Sequence, residues 1–315
     1  MESEMLYDLS PVVRLYKDGR VERLEGTEIV PPSLDEKTGV QSKDVVISSD
    51  SAVSARLYIP KAAICSLRKL PILVYYHGGG FIVQTAWSPA YHNYLNALVA
   101  EANVIAVSIN YRKAPEAPLP AAYDDSWTAL KWVASHSAGN GPEEWLNSHA
   151  NLKKVFLAGD SAGANIINNM GIRFGEEKLS GIEVPGVMMV HPYFWGNEPL
   201  PSETTDPMKR SFAVMFWHAA SPATTGCDDP LINPAMDPRL SGLSWKKVLV
   251  CVAGKDMLRH RGWYYKEILS KSGWSGVVEE MESPGEDHDF HLFNPNCDNA
   301  VKLMKRLVCF MNEVK

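Results

Sequence analysis

The 315-residue sequence predicts an α/β fold built on an eight-stranded, mostly parallel sheet flanked by helices. Three observations point there. Short apolar, β-branched runs alternate with longer amphipathic ones. One such run leads directly into a glycine-bracketed serine and then a helical pattern. A Pro- and aromatic-rich stretch breaks the alternation late in the chain. With 45% hydrophobic, 10% aromatic and 22% charged residues the chain can bury an ordinary core, which excludes disordered, collagenous and disulfide-dense classes.

Taken in order, residues 44–48 and 55–59 flank the polar stretch SSDSAVS and predict an antiparallel hairpin. Runs 72–76, 104–109, 155–158 and 187–190 have the near-continuous apolar character of strands covered on both faces, and 248–253 and 277–281 follow. Helical periodicity occupies 90–102, 121–135, 163–174, 261–272 and 300–312; in the second of these Ala129, Leu130 and Val133 share a face. Residues 192–238, between the sixth and seventh strands, read as a cap insertion. Residues 1–40 set Leu6, Leu9, Val12, Val13, Leu15 and Tyr16 among charged neighbours, a segment that either covers the sheet's active edge or lies along its side. The whole of 1–315 is expected to be one domain.

A balance of 31 basic and 37 acidic residues, net −6, without a basic block argues against a surface that tracks nucleic-acid phosphates. The five cysteines (Cys65, Cys227, Cys251, Cys297, Cys309) are odd in number and irregularly spaced, so neither a disulfide framework nor a structural metal is expected. Cys251 and Cys309 lie inside apolar runs and read as small core residues. The opening MESEMLYDLSP carries acids where a signal peptide needs basic charge, and no apolar run approaches the ~20 residues of a membrane span. The expectation is a cytoplasmic protein, monomeric or homodimeric, with no membrane or nucleic-acid partner.

The chemistry concentrates in three places. In Gly159-Asp160-Ser161-Ala162-Gly163, between a strand and a helix, a tight turn would lift Ser161 out at the sheet's C-terminal edge, the flanking glycines relieving the crowding. In His77-Gly78-Gly79-Gly80-Phe81, directly after another strand, consecutive glycines let backbone N–H groups converge on a developing oxyanion. Two of Gly78, Gly79 and Gly80, with Gly79 and Gly80 favoured, would form the hole together with Ala162 N–H. Neither nucleotide-loop glycine spacing is present. His77 reads as an organiser of the loop rather than a proton carrier.

A serine needs a general base, and the base an acid to fix its tautomer; on a sheet with this elbow they follow in the order Ser, Asp or Glu, His. His191 precedes any suitable acid, His218 lies in the cap stretch, and His260 is too close in sequence to its acid. His288 and His291 remain, in GEDHDFHLF. His288 is preferred for its polar setting, whereas His291 sits between Phe290 and Leu292. Asp256, three residues past the seventh strand, is the preferred acid; Asp228 and Asp229 in CDDPLINP read as a structural turn.

Together HGGGF, GDSAGAN, the acid of AGKDML and the histidine of GEDHDFH resemble the hormone-sensitive-lipase-like branch of the α/β-hydrolases. DLSP with VVRLYKDGRVERL, SINYRKAPEAPLPAAYDD, HPYFWG, INP and KSGWSG looks like its plant carboxylesterase group. The resemblance implies a serine carboxylesterase acting on small, short-acyl esters, with Ser161, Asp256 and His288 as the triad, an N-terminal cap, no cofactor and no metal. The group also holds gibberellin receptors, 2-hydroxyisoflavanone dehydratases and alkaloid cyclases, so a lyase, cyclase or deacetylase of specialised metabolism and a hormone receptor are the alternatives. The receptors lack the catalytic histidine, and His288 is present here. Phe81, Ile82, Val83, Phe194, Trp195, Phe212, Phe216 and Trp217, with His218, are expected to wall a pocket for a planar or terpenoid-sized substrate.

Overall fold

A computed structural model describes residues 4–313; residues 1–3 and 314–315, the extreme ends of the expected domain, lie outside the described residues. Strands β1 (Met5–Leu9), β2 (Val13–Tyr16) and β3 (Val21–Arg23) make a separate antiparallel sheet. The main sheet comprises β4 (Leu34–Asp35), β5 (Val40–Ser48), β6 (Val53–Pro60), β7 (Leu70–Tyr76), β8 (Ile105–Asn110), β9 (Ala150–Asp160), β10 (Val187–Val190), β11 (Lys247–Ala253) and β12 (Val277–Ser283). Its order is β12-β11-β10-β9-β7-β8-β6-β5-β4. The pairs from β12 to β8 are parallel, while those joining β8, β6, β5 and β4 are antiparallel. All eight expected strands are there; the ninth, β4, is a two-residue edge too short to leave a periodic trace.

The helices are α1 (Lys61–Ile64), α2 (Pro89–Ala102), α3 (Ala121–Ala134), α4 (Glu144–His149), α5 (Ala162–Glu177), α6 (Pro207–Ala220), α7 (Arg259–Ser272), α8 (Phe290–Phe293) and α9 (Asp298–Glu313). Successive strand residues face opposite ways, so β7 sends Ile72, Val74 and Tyr76 into a core shared with α3, α5 and α7. Leu73 and Tyr75 enter the opposite core with α2 and α9. Covering both faces explains why the central strands read as continuous apolar runs. Helix ends are marked locally: Pro89 opens α2 in its first turn, Asn103 ends it at φ 52, and Gly273 ends α7 at φ 87.

This topology delivers four connections to one edge: β7 into the glycine loop, β9 into α5, β11 into the loop before α7, and β12 into the loop before α8. Crevices outside the carboxyl ends of parallel strands are where such sheets bind ligands. Over this edge lie α6, between β10 and β11, and the β1–β3 sheet, whose β1 packs on α6. No described helix is long and apolar enough to cross a membrane.

Candidate active site

Ser161 is the whole connection between β9 and α5, at φ 51 and ψ −115. Such a conformation is strained for an L-residue and persists only where its surroundings enforce it. They do: a Cβ on Gly159 would lie 2.6 Å from the Tyr76 carbonyl oxygen, and one on Gly163 would collide with that same oxygen. Both glycines therefore let the elbow close against the end of β7. As the first residue of α5, Ala162 has an amide with no partner one turn back in the helix.

Beside the elbow, the glycine loop is held by tyrosines. Tyr111 stacks on His77 at 4.2 Å between centroids and donates to the His77 carbonyl at 2.7 Å. Burial, with the Lys113 charge adding, pushes His77 down to about 3, so its ring is neutral and its Nδ1 binds the Gly78 carbonyl. Gly78 N–H donates to Tyr91 Oη at 2.8 Å, which takes it out of the expected oxyanion donors. Tyr91 in turn donates to Asp160 Oδ2 at 2.6 Å, and Tyr75 to Oδ1 at 2.7 Å. Gly79 (φ 96) and Gly80 (φ 59) border the cavity, and among the described residues their N–H groups meet no acceptor.

Across the cavity, Asp256 Oδ2 lies 2.6 Å from His288 Nδ1, while Asp256 Oδ1 accepts from Leu258 N–H at 2.9 Å. Burial would raise Asp256, but the His288 charge and hydrogen bond outweigh it and hold the carboxyl below its usual range. For His288 burial acts downward, yet the Asp256 and Asp289 carboxylates override it and hold the ring up at about 10. Ser161, Asp256 and His288 all line one cavity. His291 is packed edge-on to Tyr94 and His191, and burial pushes it well below the histidine range. Asp228 binds Asn197 and Asn233, and Asp229 binds Thr224, so both hold turns of the insertion.

Pattern reading missed Asp160, Asp289, Tyr75, Tyr91 and Tyr111. The two acids stand next to Ser161 and His288 in the motifs themselves, whereas strand and helix tyrosines look like ordinary core. Donor atoms of His191, Asp289 and His291, and of His191, Asp256 and His288, lie within 4.8 Å of one another. His191 Nδ1 is already 3.0 Å from the Asp289 backbone N, and Asp256 is bonded to His288, so the cluster is a hydrogen-bond network.

The cavity measures ≈ 500 Å³. Val83, Phe212 and Phe216 are on its wall as expected, with Tyr193, Met257 and Leu292; Val12 and Glu25 reach it from the N-terminal segment. Five other expected pocket residues are core instead. Phe81 packs among Tyr123, Tyr193 and Trp217; Ile82 is fully buried; Phe194 packs on Tyr265; Trp195 lies between Arg210 and Arg261; Trp217 donates to Thr224 Oγ1. Adjacent helical residues point about 100° apart, which is why Phe216 meets the cavity and Trp217 does not.

A family profile described as the alpha/beta hydrolase fold matches residues 73–292. Over 316 residues the chain is 49% identical to probable carboxylesterase 7 of Arabidopsis thaliana, covering 99% of this chain and 100% of that one. It is 45% identical over 313 residues to the chloroplastic tuliposide A-converting enzyme 1 of Tulipa gesneriana, covering 99% of this chain and 79% of the relative. Among solved structures, a hyperthermophilic esterase of the archaeon Pyrobaculum calidifontis superposes with a TM-score of 0.70 at 26% identity, over 86% of this chain and 82% of that one.

Proposed function

The chain belongs to the α/β-hydrolase fold family, is a serine carboxylesterase of the plant carboxylesterase group within the hormone-sensitive-lipase-like branch, and from that premise we propose that it hydrolyses small apolar esters through an acyl-enzyme on Ser161. The observation carrying this assignment is the 2.6 Å Asp256–His288 bond on the cavity that Ser161, Gly79 and Gly80 also line. Ser161 Oγ attacks the ester carbonyl as His288 Nε2 takes its proton. Gly79, Gly80 and Ala162 N–H groups receive the oxyanion, and the alcohol leaves with the proton from His288. Water then repeats the sequence on the acyl-enzyme, releasing the acid and restoring Ser161.

Asp256 keeps the imidazole proton on Nδ1 and stabilises the imidazolium. The cavity wall of Val83, Phe212, Phe216, Met257 and Leu292 supports an apolar substrate. The N-terminal segment and α6 act as the cap that selects it, a role supported by Val12, Glu25, Phe212 and Phe216 facing the same space. The proposed compartment is the cytoplasm, supported by five unpaired thiols; the tulip relatives are named chloroplastic, and imaging a tagged full-length chain distinguishes the two.

Ser161→Ala should lower kcat on an aryl acetate by about six orders of magnitude, and His288→Ala by a similar factor, while His291→Ala retains turnover. Hydrolysis surviving in Ser161→Ala, or a silent His291→Ala beside an active His288→Ala, would overturn the assignment.

A further inference from the structure

Asp289 directly follows the proposed base and adopts φ 53, ψ 24, the left-handed region that Asp and Asn tolerate better than other side chains. That turn folds its carboxylate back over the ring of its own neighbour. Asp289 Oδ2 lies 3.3 Å from His288 Nε2, and Oδ1 lies 3.0 Å from His191 Nδ1. The imidazole of His288 is thus flanked by a carboxylate at each nitrogen, Asp256 at Nδ1 and Asp289 at Nε2. The second contact is an ion pair rather than an aligned hydrogen bond, which leaves Nε2 able to serve a hydroxyl.

Around Asp289 the ionisable neighbours come from every packed element. Asp160, at the end of β9, lies close enough to feel its charge. His191 follows β10, and Asp256 follows β11. Tyr91 and Tyr94 face it from α2, and His291 lies on α8. Lys255 and Asp287 stand at the same cavity. Two neighbouring carboxyl groups resist carrying charge together. Burial and the Asp289 charge push Asp160 well above the carboxyl range, and its two oxygens accept from Tyr75 and Tyr91. Burial pushes Asp289 up to about 6, with the His288 charge opposing, which leaves Asp289 the more readily ionised of the two carboxyls.

We propose that Asp289 is a positioning residue for the hydrolysis: through His288 it stabilises the imidazolium formed as Ser161 loses its proton, and it shifts the range in which His288 can act as base toward alkaline pH. This rests on the triad reading above. The sign follows from charge: an anion beside the ring favours its protonated form, and only the neutral ring can accept the Ser161 proton.

The test is the pH profile of kcat/KM on an aryl acetate for the wild type, Asp289→Asn and Asp289→Glu. In the wild type the acid limb should have its midpoint above the ordinary histidine value of about 6.5. In Asp289→Asn it should move down by about one unit or more, and Asp289→Glu should restore much of the shift. An unmoved midpoint in a folded Asp289→Asn overturns the proposal. As a second readout, NMR of the wild type with ring-labelled histidine should show His288 titrating well above 6.5; titration in the ordinary range also overturns it. Hydrolysis persisting in Ser161→Ala would instead remove the triad reading itself, so the two failures are separable.

Discussion

At the residue scale, Tyr91 ties the two halves of the proposed chemistry together. Its hydroxyl accepts the Gly78 N–H and donates to Asp160, the neighbour of Ser161. Gly78 can approach Asp160 that closely only without a side chain, since a Cβ would run into the carboxylate. Tyr91→Phe strands a buried amide and a buried carboxyl oxygen, each costing about 1–3 kcal/mol. The variant should melt lower and lose about tenfold or more in kcat as the glycine loop relaxes, the scale expected when catalytic groups drift by a fraction of an ångström. Thermal unfolding and steady-state kinetics check both; a wild-type melting curve with wild-type kcat would contradict this role.

Local motifs exposed Ser161, the glycines, Asp256 and His288 as candidates because each sits just past the end of a strand, in the chain order this chemistry requires. Tyr75, Tyr91 and Tyr111 gave no such signal. Each lies in or beside an apolar run where a tyrosine is normal core, and only the tertiary approach of β7, α2 and the elbow gives their hydroxyls partners.

At the element scale, the β1–β3 sheet is fastened to the glycine loop by one residue of β3. Arg23 Nε donates to the Ile82 carbonyl at 2.7 Å, its Nη2 reaches the Ala114 carbonyl at 3.1 Å, and both terminal nitrogens engage Glu116 at 2.8 and 2.6 Å. Gly26 adds a close approach, a Cβ there falling 2.6 Å from the Gln84 amide nitrogen. A bidentate Arg–carboxylate fork with further carbonyl bonds is strong and directional. Arg23→Ala should raise KM for bulky apolar esters several-fold and lower kcat on a small acetate about tenfold, with the melting temperature little changed. Kinetics on the two substrates test this, and unchanged constants on both would remove the strap from the mechanism. In the sequence the segment showed only as apolar residues among charges; nothing local announces that Arg23 will meet a loop 59 positions away.

At the scale of the whole molecule, the apolar runs marked eight strands, and the central ones are covered on both faces while β5 and β12 stay partly exposed. The antiparallel β5–β6 hairpin was legible from its two runs around a polar stretch, whereas the β6–β8 pairing direction and the two-residue β4 were not, since they depend on tertiary connections and not on composition. The pocket was least legible of all. Phe194, Trp195 and Trp217 are as aromatic as Phe212 and Phe216, and only the rotation of α6 and the packing of residues 192–238 decide which face the cavity, while Phe81 is turned into the core by the glycine loop. What the fold accomplishes is convergence: four strand ends, a helix N-terminus, the strapped N-terminal segment and α6 meet around one ≈ 500 Å³ space.

The acyl-enzyme itself is the most direct test of that convergence. Quenching the full-length chain in acid during turnover of an aryl acetate, then mapping peptides by mass spectrometry, should find a single acetyl ester on Ser161. It should be missing from Ser161→Ala and persist longer in His288→Ala after brief loading with an activated ester. Acetylation at another residue, with Ser161 unmodified in an active enzyme, would contradict the account.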